Sequence, residues 1–194
     1  MNGYLELIIG PMFSGKTSKL IELYNLQKYH NFNLCSIAVI NYQQDTRYSK
    51  TKLSSHDRLE VPCIFCENLY DILESDEISS SKLILINEGQ FFPDLYEATI
   101  ELVEKKNKHV YIAGLDGDFR RQPFGDILKL VPISDKVTKL RSQCMNVIGI
   151  EKTACKENAI FSYRINENKD QIQIGSSDSY MPLCRNCYLL KTTT

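Results

Sequence analysis

The eight residues Gly10-Pro11-Met12-Phe13-Ser14-Gly15-Lys16-Thr17 constrain this chain more than any other stretch. They fit the phosphate-binding pattern G-x-x-x-x-G-K-[ST], which works only as a strand, a tight loop and a helix start. Both flanks suit it. The apolar run Leu5 to Ile9 precedes the loop, and a helix-like segment from Lys16 to about His30 comes after it, with Leu20, Leu23, Tyr24 and Gln27 on one face. Such a loop turns backbone N–H groups toward one point and ends at the positive end of a helix dipole. Lys16 then reaches phosphate oxygens, and the Thr17 hydroxyl faces Mg²⁺. The pattern implies a bound nucleoside triphosphate and leaves open what it is used for.

The rest of the chain repeats the alternation. Cys35–Ile40, Leu59–Phe65, Leu83–Ile86 and His109–Leu115 read as further strands, the run Leu83–Ile86 so apolar that both its faces are covered. Asn41–His56 reads as a polar loop. Asp94 caps a helix whose Leu95, Ala98, Thr99 and Leu102 share a face. Strands alternating with helices predict an α/β fold with a parallel sheet. After about Arg141 the helix period vanishes and cysteines gather, which places a small second domain at 141–194 behind a nucleotide-binding domain at 1–140.

Leu83-Ile84-Leu85-Ile86-Asn87-Glu88 is an apolar strand ending in polar residues, the form of a Walker B element. Neighbouring side chains at a strand end point to opposite sides. Glu88 can therefore accept a proton from an alcohol nucleophile or orient a water, while the residue at 87 faces the Mg²⁺ shell. Strand ends of this kind border the ligand crevice of open α/β sheets.

Taken together, the motifs resemble those of thymidine kinases of the cellular and poxviral type. The matching segments are Gly10–Thr17, Asp45-Thr46-Arg47-Tyr48-Ser49, His56-Asp57-Arg58, Asn87–Asp94, Leu115-Asp116-Gly117 with Phe119, Pro123-Phe124-Gly125, and Cys184-Arg185-Asn186-Cys187-Tyr188. They run in order over nearly the whole chain. The resemblance implies a P-loop NTPase-like (RecA-like) parallel sheet with flanking helices and a small zinc-ribbon-like C-terminal domain. It implies transfer of the γ-phosphoryl group of ATP to the 5′-hydroxyl of thymidine, in deoxynucleotide salvage. By matching positions, Gly10 to Thr17 and Arg47 would hold the triphosphate. Thr17, Asp45 and Asn87 would surround Mg²⁺, and Glu88 would be the general base. Met12, Phe91, Leu115, Phe119, Ser162, Asp178 and Tyr180 would line the thymidine site. Backbone groups around Ile174 and Gly175 would read the base edge, and Arg164 would steady the site. A homotetramer and feedback inhibition by dTTP are also implied.

The same resemblance implies structural Zn²⁺ on two C-x-x-C pairs. Only Cys184 and Cys187 form such a pair here; Val147 stands where Cys144 would have its partner. Residues 156–164 resemble the stretch that lies just past the second zinc ligand in the family, so Cys144, Cys155, Cys184 and Cys187 are the expected set, with a C-x10-C insertion between the first two. The alternative is a lost site with free or partly oxidised thiols. Cys63 and Cys66 also have C-x-x-C spacing, but in an extended strand they lie on opposite faces, ~10 Å apart, and read as packing residues. Two further departures concern the site: Asn87 replaces an Asp, and Gly175-Ser176 replaces a Gly-Gly pair.

Composition narrows the classes. The net charge of −1 offers no general basic field for nucleic acid, which weighs against an ATPase acting on DNA or RNA. No stretch approaches the roughly 18 apolar residues of a membrane span, and Met1-Asn2-Gly3-Tyr4 carries no secretion signal. Seven cysteines without such a signal read as thiols or metal ligands, and a cytoplasmic location is expected. The chief alternative to a kinase is a nucleotide-binding regulatory or scaffold protein of the same fold, impaired by Asn87.

Overall fold

A computed structural model describes residues 2–30, 36–45, 52–54, 60–148, 153–173, 175 and 177–193. Strand β1 (Tyr4–Ile9) leads through the Gly10–Gly15 loop into helix α1 (Lys16–His30). β2 (Ser36–Tyr42) follows, then a short antiparallel hairpin of β3 (Lys52–Ser54) and β4 (Glu60–Pro62). Next come β5 (Ile64–Cys66), α2 (Asp76–Ser80), β6 (Ser81–Ile86), α3 (Leu95–Ile100), β7 (His109–Gly114) and β8 (Lys136–Lys139). Six of these strands form one parallel sheet in the order β5-β2-β6-β7-β1-β8.

The sheet is covered on both faces, and β6 shows why its sequence is continuously apolar. Ile84 and Ile86 join one core with Leu5, Leu7, Ile40 and Ile112, closed by Phe92, Leu95, Ala98 and Leu102. Leu83 and Leu85 join the opposite core with Ile8, Val39 and Ala113, closed by Leu20 and Ile21 of α1. Fully burying one such side chain contributes about 1.5–3 kcal/mol. The face Leu95, Ala98, Thr99 and Leu102 is wholly buried, and the helix runs on as a π-turn over Glu101–Lys105.

Several local expectations are corrected. The strand expected at Leu59–Phe65 is divided between β4 and β5, with Leu59 outside the described residues. Around Pro62 and Cys63 the chain leaves the β3–β4 hairpin and enters the main sheet as β5, since proline cannot donate to a ladder. Residues 41–56 are not all loop: β2 extends to Tyr42, and Lys52–Ser54 pairs with Glu60–Pro62. Asp94 precedes α3 but makes no side-chain cap; its carboxylate accepts from the N–H groups of Leu69 (3.1 Å) and Tyr70 (2.8 Å). The sixth strand, β8, has only Val137 as an apolar residue and lies exposed at the sheet edge, so no hydrophobic period announced it.

Beyond β8 the chain forms β9 (Ser142–Gln143), β10 (Val147–Ile148), β11 (Thr153–Ala154), β12 (Asn158–Ala159), β13 (Phe161–Arg164) and β14 (Tyr180–Leu183). They pair as β9–β12, β10–β11 and β13–β14, all antiparallel. A helix does occur here, against the expectation: α4 (Arg185–Thr192). Cys184 is its N-cap, accepting from the Cys187 N–H, so the second C-x-x-C pair opens the helix. No helix among the described residues is long and apolar enough to cross a membrane.

Candidate active site

The C-terminal ends of β1, β2, β6 and β7 border a single cleft, as parallel α/β sheets dispose their ligand sites. Its floor is the Gly10–Thr17 loop. Gly10 (φ +151°) must be glycine, because a Cβ there would meet the Leu140 carbonyl oxygen at 2.6 Å. Gly15 and Phe13 also have positive φ, 83° and 60°. In Phe13 this is a strained left-handed conformation, which concentrates at ligand sites. Lys16 is 9 % exposed and curls back so that Nζ donates to the Pro11 carbonyl at 2.7 Å. The C-terminal segment stitches the loop in place. Ser142 Oγ donates to the Phe13 carbonyl (3.0 Å), and the Met12 N–H donates to Ser162 Oγ (2.9 Å).

Just past the end of β6 the two polar residues diverge, and a left-handed backbone at Glu88 rather than strand alternation separates them. Asn87 is buried and its Oδ1 accepts from the Thr17 hydroxyl at 3.1 Å. Thr17, Asn87 and Asp45 line one part of the cleft and supply a hydroxyl, an amide oxygen and a carboxylate. Those hard oxygen donors suit Mg²⁺, which binds proteins through one or two such groups together with substrate phosphates. Glu88 sits in a left-handed conformation (φ 54°, ψ 41°). Its Oε2 accepts from Gln90 Nε2 at 2.6 Å, while Gln90 Oε1 accepts from the Leu115 N–H at 2.9 Å. Gln90 is 3 % exposed, and two glycines make room for it. A Cβ on Gly114 would meet Gln90 Oε1 at 2.6 Å, and one on Gly125 (φ +56°) would meet the Gln90 carbonyl at 2.2 Å. The Gly114 and Gly125 positions are thus tied to the residue that orients Glu88.

The opposite wall is apolar and aromatic. Met12, Phe91, Leu115, Phe119, Phe124 and Tyr180 line it, with Phe91 edge-on to Phe124 at 5.4 Å. Phe92, by contrast, points away into the core at 1 % exposure. Arg164 is 5 % exposed and lies over the Phe119 ring at 3.8 Å. Its guanidinium donates to the Asn168 carbonyl (2.9 Å), the Gln171 carbonyl (3.3 Å) and the Tyr180 hydroxyl (2.6 Å). The Tyr180 hydroxyl in turn donates to the Gln173 carbonyl at 2.9 Å. Gln171 Nε2 reaches Asp118 Oδ2 at 3.0 Å. Arg164, together with Arg120, which donates to the Lys169 carbonyl, thereby holds segment 165–173 beside the cleft.

Of the residues named from sequence, Met12 to Thr17, Asp45, Asn87, Glu88, Phe91, Leu115, Phe119, Ser162, Arg164, Gly175 and Tyr180 line this cleft, with Gly10 and Pro11 in its loop backbone. Asp178 does not line it; the residue is exposed and accepts from Ser179 Oγ at 3.2 Å. Arg47, Ile174 and His56 lie outside the described residues. Gln90, Asp118, Gln171 and Gln173 were not anticipated as site residues. Gln90 stands inside the quoted Asn87–Asp94 motif, which was the one available signal.

The four cysteines converge elsewhere. The Sγ atoms of Cys144, Cys155, Cys184 and Cys187 all lie within 4.8 Å of one another, and all four residues are buried. Cys155 and Cys184 Sγ are 4.0 Å apart, too far for a disulfide. A tetrahedral zinc with bonds of about 2.3 Å sets its sulfurs about 3.8 Å apart, so the set fits that ion. The ten residues between Cys144 and Cys155 hold the small β10–β11 hairpin, which closes the excursion. Cys63 and Cys66 instead pack against the two opposite cores.

The family model for thymidine kinase matches residues 3–188. The chain belongs to the thymidine kinase family. It is 40% identical over 189 residues to the thymidine kinase of Sheeppox virus (strain KS-1), covering 97% of this chain and 98% of that one. It is 40% identical over 190 residues to the enzyme of Vaccinia virus (strain Western Reserve), covering 96% and 97%. It is 36% identical over 191 residues to thymidine kinase a of Arabidopsis thaliana, covering 97% of this chain and 76% of that one.

Proposed function

We propose that this chain transfers the γ-phosphoryl group of ATP to the 5′-hydroxyl of thymidine, giving dTMP. One observation carries the reading. Glu88, clamped by Gln90, sits in one cleft between a phosphate loop and an aromatic wall, in a chain of this family. Phosphoryl transfer is catalysed mainly by positioning and charge neutralisation. Lys16 supplies positive charge to the triphosphate, and Gly10 to Thr17 cradle it, with Arg47 added by its match to the family motif. Thr17, Asp45 and Asn87 would hold Mg²⁺, which when bound neutralises phosphate charge. Glu88 takes the proton of the 5′-hydroxyl as the new P–O bond forms and the bond from the γ-phosphorus to the β,γ-bridging oxygen breaks, releasing ADP. Met12, Phe91, Leu115, Phe119 and Tyr180 hold the base by apolar contact, with backbone of 174–175 at its edge. Arg164 helps keep segment 165–173 in place. Ser162, which takes the Met12 N–H, ties the base side to the loop.

Zn²⁺ on the four cysteines is a structural part of this reading, as are the division into units 1–140 and 141–194, a homotetramer, inhibition by dTTP and a cytoplasmic location. The test is purified protein with labelled ATP, Mg²⁺ and a panel of deoxynucleosides. Labelled dTMP supports the reading, and no transfer to any nucleoside overturns it in favour of the non-catalytic relic that Asn87 suggests. Glu88→Gln should lower kcat by about 10²–10⁴, the usual worth of a general base, while nucleotide binding measured by fluorescence stays unchanged.

A further inference from the structure

We infer that Asn41 is a positioning residue for the cation that accompanies the triphosphate: it dictates which end of the Asn87 amide faces Thr17. The inference rests on the kinase reading above. Asn41 lies near the end of β2, and Asn87 follows the last residue of β6. These strands are parallel neighbours with Ile40 opposite Ile86, and the Asn87 N–H donates to the Ile40 carbonyl at 2.9 Å. The register therefore sets the two side-chain amides together, at 3 % and 2 % exposure. Asn87 Nδ2 donates to Asn41 Oδ1 at 2.9 Å.

The hydrogen bonds form a chain with one direction. The Asp45 backbone carbonyl can only accept, and Asn41 Nδ2 donates to it at 3.4 Å. Asn41 Oδ1 is thereby left to accept from Asn87 Nδ2, and Asn87 Oδ1 to accept from the Thr17 hydroxyl at 3.1 Å. Thr17 spends its proton on Asn87 and keeps its oxygen lone pairs for a cation. A carboxylate at position 87 would need no such arrangement, because its two oxygens are equivalent acceptors. An amide has one acceptor end and one donor end. Turned over, Asn87 would present N–H groups to the cation and to Thr17. The neutral amide pair also avoids placing an uncompensated charge in a buried site. Asn41 is what makes an asparagine at position 87 serviceable.

The readout is equilibrium binding of Mn²⁺ with ADP, followed by electron paramagnetic resonance, beside steady-state kinetics. Asn41→Leu removes the acceptor for Asn87 Nδ2 and should weaken Mn²⁺ binding by about 3- to 10-fold, the worth of one net hydrogen bond, with KM for thymidine unchanged. Asn41→Asp keeps an acceptor at that place and adds a negative charge near the cation, so it should bind Mn²⁺ at least as tightly as the parent. Wild-type Mn²⁺ binding in Asn41→Leu, or equal loss in both variants, overturns the inference. If Asn41→Leu does not fold by thermal melting, Asn41→Ser, too short to reach Asn87, carries the same expectation and the same refutation. Failure of the parent to phosphorylate thymidine would overturn the kinase reading alone, since Mn²⁺–ADP binding tests Asn41 independently of turnover.

Discussion

Asn87 is where the chemistry of single residues matters most. It keeps the acceptor that Thr17 needs and omits the charge that an acid would bring to Mg²⁺. Asn87→Asp should therefore lower the Mg²⁺ concentration for half-maximal rate. An unchanged Mg²⁺ dependence would show that charge at this position is immaterial. A second residue-level expectation concerns two thiols that take no part in the site. Burial pushes Cys63 and Cys66 up to about 12 from the ordinary 9.0. Above pH ~9 the unfolded chain releases these two protons while the folded chain keeps them, so their contribution, full below pH ~9, is lost as pH rises toward about 12. The urea midpoint of the parent should fall further between about pH 8 and pH 10.5 than that of a Cys63→Val, Cys66→Val double variant. Equal falls would mean that the two thiols titrate normally in the folded protein.

Among the elements, segment 165–173 is held mostly by side chains. Beyond the Ile165 N–H bond to the Ser179 carbonyl, Arg120 donates to the Lys169 carbonyl and Gln171 reaches Asp118, while Arg164 donates to the carbonyls of Asn168 and Gln171 and to Tyr180. Arg164→Met keeps much of the apolar bulk over Phe119 and removes the bonds of Arg164. KM for thymidine should rise about tenfold, the effect of losing roughly 1.4 kcal/mol, with KM for ATP little changed. A parallel rise in both constants would place the damage in the loop rather than in the segment. The helices had clearer origins. The buried face of α3 was legible in its apolar period, whereas α4 was hidden because Cys184 and Cys187, read as ligands, also serve as its N-cap and first turn.

At the scale of the molecule, the cysteine cluster anchors the C-terminal segment whose Ser142 and Ser162 hold the phosphate loop. The protein should carry one zinc per chain by elemental analysis, and Cys155→Ser should lower both the zinc content and the thermal midpoint. Unchanged zinc in that variant would show that Cys155 is not a ligand. Chelation should likewise weaken nucleotide binding, because the loop loses two of its braces.

The phosphate loop, the four apolar strands and the acid at position 88 were legible by themselves, because each is encoded in residues adjacent along the chain. So was the grouping of Cys155 with Cys144 across an insertion, once the flanking residues were aligned by resemblance. Tertiary structure alone decided the rest. Edge strand β8 takes its place from the exposed ladder of β1, not from its own composition. Gln90 acquires its role from Gly114 and Gly125, which lie 24 and 35 residues further on. The direction of the Asn41–Asn87–Thr17 chain depends on strand register and on one backbone carbonyl. Patterns along the chain specify which elements form, but the orientation of an amide is set by neighbours that only folding brings within hydrogen-bond reach.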